Sequence, residues 1–289
     1  MNGQRAKQAR FSLAIAMREL YRVSNNFLYA SHIMQGLLFV TNIYLILSKA
    51  EDSSGQVWTI LALSVLILST CAFLQDKSRA FYGLGESVRK LDMLERIFPR
   101  ATMNASKHYL LLEIPDAVLA KATENSEQKT DYLSKQSEKY KILIENIQQN
   151  CYFTSEIMRS YAGIIRAVII LMVAVFAISI FFGLYFLSTS NIDSNLSKGI
   201  SGYLAVLVNF IFALNIFEHL SSFRRKSSAL KKIDENLDHI KKNPHEDEVI
   251  ASFTDYNCTL SDAFPCPDFV YNRIESRLNT IWANRVKNA

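Results

Sequence analysis

AVIILMVAVFAISIFFGLYFL, residues Ala167–Leu187, runs for twenty-one residues without a charge, and apart from the Tyr185 hydroxyl its only clearly polar side chain is Ser179. As a helix it is about 31 Å long at 1.5 Å per residue, against a bilayer hydrocarbon core of about 30 Å. The stretch predicts a membrane-spanning helix, and the rest of the chain is read outward from it.

The overall composition hides this. Of the 289 residues 49% are hydrophobic and 20% charged, with a formal charge of +5. The apolar residues, however, fall into four blocks and the charges into the segments between them. Low Gly and Pro, and no ten-residue run of alternating polarity, favour helices over a membrane β-barrel. The basic N-terminus (Arg5, Lys7, Arg10) is not followed at once by an apolar run, so no signal peptide is expected. Cys71 lies in an apolar run and reads as a buried small hydrophobe. Cys258 and Cys266 lack metal-site spacing, and free thiols suit a reducing cytoplasm.

Four spans are predicted, as two antiparallel hairpins: about Phe27–Leu47, Val57–Leu74, Ala167–Leu187 and Gly199–Phe217. The expected divisions are a cytosolic amphipathic N-terminal helix over 1–26, a first hairpin over 27–74 and a cytosolic helical region over 75–163. A second hairpin over 164–219 and a C-terminal helical region over 220–289 follow. Gln4–Phe27 reads as an amphipathic helix, with polar Ser24, Asn25 and Asn26 before the first apolar run. Lys77–Phe98 keeps Phe81, Leu84, Val88, Leu91, Leu94 and Phe98 at helical spacing, so the second span continues as an amphipathic helix until Pro99. Arg100–Pro115 reads as a loop with a strand-like run at Tyr109–Ile114. Asp116 can cap a short helix, Ala117–Thr123. Thr130–Tyr161 reads as a long helix feeding into the third span. Leu230, Ile233, Leu237 and Ile240 extend the fourth span, and helices are expected around Asp247–Phe253 and Asp268–Val286. The first thirty residues hold five Lys/Arg against one Glu, and Ser221–Lys232 holds five and no acid. The positive-inside rule therefore places both termini and the middle segment in the cytoplasm. The fold class is all-α, a polytopic membrane protein whose cytosolic domain is built from helix extensions and both termini.

No catalytic constellation is found: no Walker A sequence, no G-x-G-x-x-G, no H-E-x-x-H and no G-x-S-x-G. The chain is not expected to be an enzyme or to hold a metal or cofactor. Asn42, Asn209 and Asn215 are costly in lipid unless partnered. They read as interhelical hydrogen-bonding groups or as a polar stripe lining water after assembly, and Asn215 shares a helix face with Glu218. The basic clusters read as topology signals and anionic-lipid contacts, or as an anion site. For the latter the candidates are Arg18, Arg22, Arg224, Arg225, Arg273 and Arg277, because guanidinium forks suit phosphate. Tyr21 and Tyr271 could stack on a base.

The two ends of the chain resemble a known family. LAIAMRELYRVSNN (Leu13–Asn26) resembles its A-x-R-x-L-Y helix before the first span. CTLSDAFPCPDFVYNRIE (Cys258–Glu275) resembles its P-D-W-F-Y-x-x-R-x-x-x-E ending, with Pro267, Asp268 and Tyr271 in register. With the span layout and length, the chain resembles the SMODS-associating four-transmembrane effector family. The resemblance implies a bacterial inner-membrane effector of an anti-phage (CBASS) system, driven by a cyclic nucleotide or oligonucleotide second messenger. It implies a homo-oligomer that permeabilises the bilayer, with no DNA or RNA polymer as partner. A constitutive channel or transporter, or a non-conducting scaffold for a cytosolic partner, is the alternative.

Overall fold

In the computed structural model, residues 12–47, 54–97, 104–124, 138–189, 216–261 and 263–287 are described. Among them every regular element is a helix: α1 (Leu13–Leu47), α2 (Ser54–Ile97), α3 (Asn104–Glu113), α4 (Asp116–Glu124), α5 (Lys139–Thr189), α6 (Ile216–Ile240), α7 (Glu246–Leu260) and α8 (Asp268–Lys287). The all-α class read from the sequence is what the structure shows.

Helices α1 and α2 pack antiparallel, because rising positions in one meet falling positions in the other. Ser24 Oγ donates to the Ser78 carbonyl at 2.7 Å and Ser78 Oγ returns a bond to the Ser24 carbonyl at 2.8 Å. Further along, Cys71 Sγ donates to the Ser31 carbonyl at 3.8 Å, and Leu38 packs with Ile67. At Ser24, Ser31, Cys71 and Ser78 the seam is made of small side chains, which lets the two backbones approach. Ser24 and Asn25 are buried in α1 and bonded to neighbouring elements.

The contacts divide the chain into two compact units. Unit 1 takes the described residues of Met1–Asn26, Lys77–Met158 and Arg225–Ala289, and unit 2 those of Phe27–Asp76 and Arg159–Arg224. Helices α1, α2, α5 and α6 contribute residues to both.

In unit 1, Leu13, Ile15, Ala16 and Leu20 of α1 form a core with Val88 of α2, Ile114, and Val118 and Ala122 of α4. Of the expected strand-like run Tyr109–Ile114, Tyr109–Glu113 is the last part of α3 instead. Leu110 and Leu111 of the helix pack on that core, which Ile114 joins just past the helix end. The Pro115 carbonyl accepts from the Val118 and Leu119 amides and starts α4. Helix α7 runs seven residues past the expected Phe253 end, because Val249, Ser252, Tyr256 and Leu260 keep a buried 3-4-4 repeat. Glu246, Asp247 and Glu248 in its first turn complement the helix dipole.

In unit 2, Leu38, Ile67, Cys71 and Met34 form a small core. Tyr161 packs edge-on against Phe223 at 5.1 Å between ring centroids. The third expected span, Ala167–Leu187, lies inside α5. Among the described residues α5 is the one helix long and apolar enough to cross a membrane by length and composition. Only 11% of its most apolar window is buried, where the core helix of a soluble protein would be mostly buried. The fourth expected span lies outside the described residues up to its last two, and so do Asn209 and Asn215.

Candidate functional site

Unit 1 holds a buried polar cluster at the meeting of α1, α2 and α7. Tyr82, Glu86 and Arg89 recur at spacings of four and three on α2, so one helix face presents all three. Glu86 is the hub. Tyr21 Oη donates to its Oε1 at 2.8 Å, and Arg89 Nη2 pairs with its Oε2. The Tyr21 and Tyr82 rings lie 5.4 Å apart. The Arg89 guanidinium sits 5.3 Å from the centre of the Tyr256 ring, a cation–π arrangement. Gly85 makes the approach of α1 possible: a Cβ there would lie 2.8 Å from Tyr21 Cε1.

Burial pushes the Tyr21, Tyr82 and Tyr256 phenols well above their ordinary range, against the pull of Arg89 and with a further push from Glu86. All three therefore stay neutral hydrogen-bond donors. For Arg89 burial opposes the charge, but the Glu86 carboxylate beside it holds the guanidinium charged. Within the cluster two buried donors have no hydrogen-bond partner among the described residues, Arg89 Nε–H and the hydroxyl of Tyr256, a residue 0% exposed. Such orphaned donors are rare in native cores and call for an acceptor.

A second polar junction joins α8 to α5 and α6. Arg285 forks onto Asp234 and Asp238 at 2.7 Å each, and Gln148 Nε2 donates to Asp238 at 2.6 Å. Burial raises the Asp234 carboxyl despite Arg285. For Asp238 burial pulls the same way, but the hydrogen bonds from Arg285 and Gln148 win and hold it below the usual carboxylate range.

Unit 2 shows the reverse chemistry. Ile33, Leu37, Val40 and Tyr44 of α1, Leu63, Val65, Leu66 and Phe73 of α2, and Ile170, Leu171, Val173, Ile178 and Phe181 of α5 stand exposed. Three helices thus turn large apolar side chains outward within one unit, far more than single scattered surface hydrophobes.

The sequence candidates are scattered by the fold. Tyr21 is built into the buried cluster and is no exposed platform for a base. Tyr271 donates to Glu275 one turn on, at 3.0 Å. Arg18, Arg22, Arg224, Arg225, Arg273 and Arg277 are exposed. Arg22 pairs with Glu19 at 3.1 Å and Arg277 with Glu156 at 3.5 Å. Arg224 belongs to unit 2 and Arg18, Arg22, Arg225, Arg273 and Arg277 to unit 1. Glu218 is exposed in the first turn of α6, and Asn42 lies in α1 with its side chain outside the described set. Tyr82, Glu86, Arg89 and Tyr256 were not singled out from sequence. The available signal was an acid and a base three apart, set within the apolar repeat of α2. Among the described residues no group of three or more His, Cys, Asp or Glu is placed to hold a metal ion.

Compared with known proteins, the chain matches no family model, no curated protein and no solved structure. Fold and surface define it as an all-helical protein with one described helix fit to cross a membrane.

Proposed function

We propose that the protein is a ligand-gated membrane effector. Unit 2 sits in the bilayer as part of a four-span, multi-pass arrangement with both termini in the cytoplasm. Unit 1 binds a nucleotide signal, and the assembled protein permeabilises the inner membrane of a bacterial cell under phage attack. The observation that carries the reading is the concentration of outward-facing large apolar side chains in unit 2, on α1, α2 and α5 above all. Water disfavours that surface by about 25 cal/mol per Å², and lipid does not. The unsatisfied donors Arg89 Nε and Tyr256 Oη, set among aromatic rings, support an acceptor-rich, ring-bearing ligand. A ligand gates such a protein only by binding the leaky arrangement more tightly than the closed one.

The test is dye release from liposomes carrying the purified protein, with and without a panel of cyclic di- and trinucleotides. Ligand-dependent release is expected, and its absence with correctly inserted protein overturns the reading. Tyr256→Phe sharpens the test. It deletes a buried hydroxyl that lacks a partner, so on packing grounds it stabilises the fold by about 1 kcal/mol or more. If the hydroxyl also greets the ligand, the same variant loses the response. A stabilised variant with full response would remove Tyr256 from the site.

A further inference from the structure

Helix α8 is attached unevenly along its length. At its N-terminal end Ala263, Pro265 and Pro267 are buried, and so is Val270 in the first turn. The Arg79 guanidinium lies 4.3 Å over the Phe264 ring, and Asn25 Nδ2 donates to Asp268 at 2.6 Å. Beyond Val270 the only fully buried side chain of the helix is Leu278. The other contacts there are polar or partly exposed. Trp282 stacks on Tyr152 of α5 at 6.2 Å, with the Arg285 guanidinium 5.7 Å from its ring centre. Arg277 reaches Glu156 of α5, and Arg285 forks onto Asp234 and Asp238 of α6.

An isolated helix of twenty residues with one buried anchor past its first turn gains little from propensity alone, so its docking depends on these few contacts. Elements with few buried apolar contacts open at low free energy while the rest of a domain stays folded. We propose that the C-terminal part of α8 is a releasable strap, hinged at Ala263–Val270 and caught by the Arg285 fork. With the catch closed, α8 covers the Tyr152 face of α5 and the acidic pair of α6. With it open, that aromatic and acidic face is free, while the Pro265–Pro267 anchor keeps the helix tethered beside it. Bidentate Arg–carboxylate geometry suits such a catch, since it is strong in one orientation and lost as a unit. The inference rests on unit 1 alone and stands or falls separately from the membrane function.

Hydrogen exchange of the full-length protein in detergent tests it. Arg285→Ala is expected to speed exchange over residues 277–287 by about tenfold or more, with α7 and the α1–α2 seam unchanged. Arg285→Lys, which keeps the charge and loses the fork, is expected to give a smaller rise confined to the same residues. Exchange that rises evenly across unit 1 in both variants would show a structural strut and overturn the strap. No rise in either variant would overturn the catch.

Discussion

Glu86 in unit 1 lies buried between Tyr21 and Arg89, while Ile33, Leu66 and Ile178 in unit 2 turn outward on three different helices. The two regions share α1, α2, α5 and α6, yet they spend polar and apolar residues in opposite places. Unit 1 hides charge, pairing Glu86 with Arg89 one turn on and Asp234 with Arg285 of α8. Unit 2 hides small groups such as Ser31, Gln35 and Cys71 and exposes its large apolar ones. A single helix can serve both regimes because helical hydrogen bonds close within the segment, whether the surroundings are water, protein or lipid. What changes along α1 and α2 is only which side chains face the neighbour. The lesson is that the solvent of a segment is written in its exposed face, not in its backbone.

Breaking this contrast from the unit 1 side gives the largest effect. Glu86→Ala strands the Arg89 guanidinium and the Tyr21 hydroxyl in a buried site. Removing one partner of a buried pair costs about 3–5 kcal/mol. Denaturation followed by circular dichroism in detergent should show that loss, and a loss under 1 kcal/mol would mean the pair is solvated. The unit 2 counterpart is Ile178→Asp. This side chain is more than half exposed, so stability in detergent should barely move. Insertion should suffer instead, by about 2.5–3.5 kcal/mol for a charge at the centre of a spanning helix. Extraction of the variant by alkaline carbonate is the readout. A variant that destabilises in detergent but stays in the membrane would reverse the assignment of that face.

How much of this was legible follows the same division. The helix of Ala167–Leu187 was readable because its signal is local, a run of residues each apolar by itself. The start of α8 at Asp268, the early part of α7 and the extension of α2 past Leu74 were readable because a 3.6-residue repeat needs no knowledge of the partner. Tyr109–Ile114 was misread because its short apolar run fits a strand or a helix equally, and only the core around Leu20 and Val88 decides. The Glu86–Arg89–Tyr256 cluster was not legible. Its members lie up to 170 residues apart in sequence, and nothing in Tyr256 itself says that its hydroxyl ends without a partner. The setting of Tyr21 was not legible either, since it depends on Gly85 yielding space across the seam.

That space supports a prediction of intermediate size. Gly85→Ala places a methyl 2.8 Å from Tyr21 Cε1 and 2.9 Å from Cδ1. The ring cannot swing away freely, being bonded to Glu86 and packed on Tyr82. Overpacking of this kind costs about 1–3 kcal/mol. Adding Tyr21→Phe should not restore the loss, because the clash is with ring carbons. Adding Tyr21→Leu should restore part of it. Equal stability of wild type and Gly85→Ala would mean that α1 and α2 can part at this point without penalty.

Gly163 gives the smallest expected effect and the clearest contrast with Gly85. Both are helical glycines, but a Cβ at Gly163 meets nothing within 4 Å. It lies in α5 just inside unit 2, four residues before the apolar stretch begins. There is no steric reason for glycine at this site, and alanine there should stabilise the helix by up to about 1 kcal/mol. A glycine that packing does not require, in the middle of a 51-residue helix, is a point where the helix bends at low cost. Gly163→Ala therefore separates two outcomes. If the variant is more stable and leaks as readily as wild type when ligand is added, the glycine is incidental. If it is more stable and responds less, the softness at Gly163 is part of how binding in unit 1 reaches the bilayer, and the loss of response should grow as the position is stiffened further.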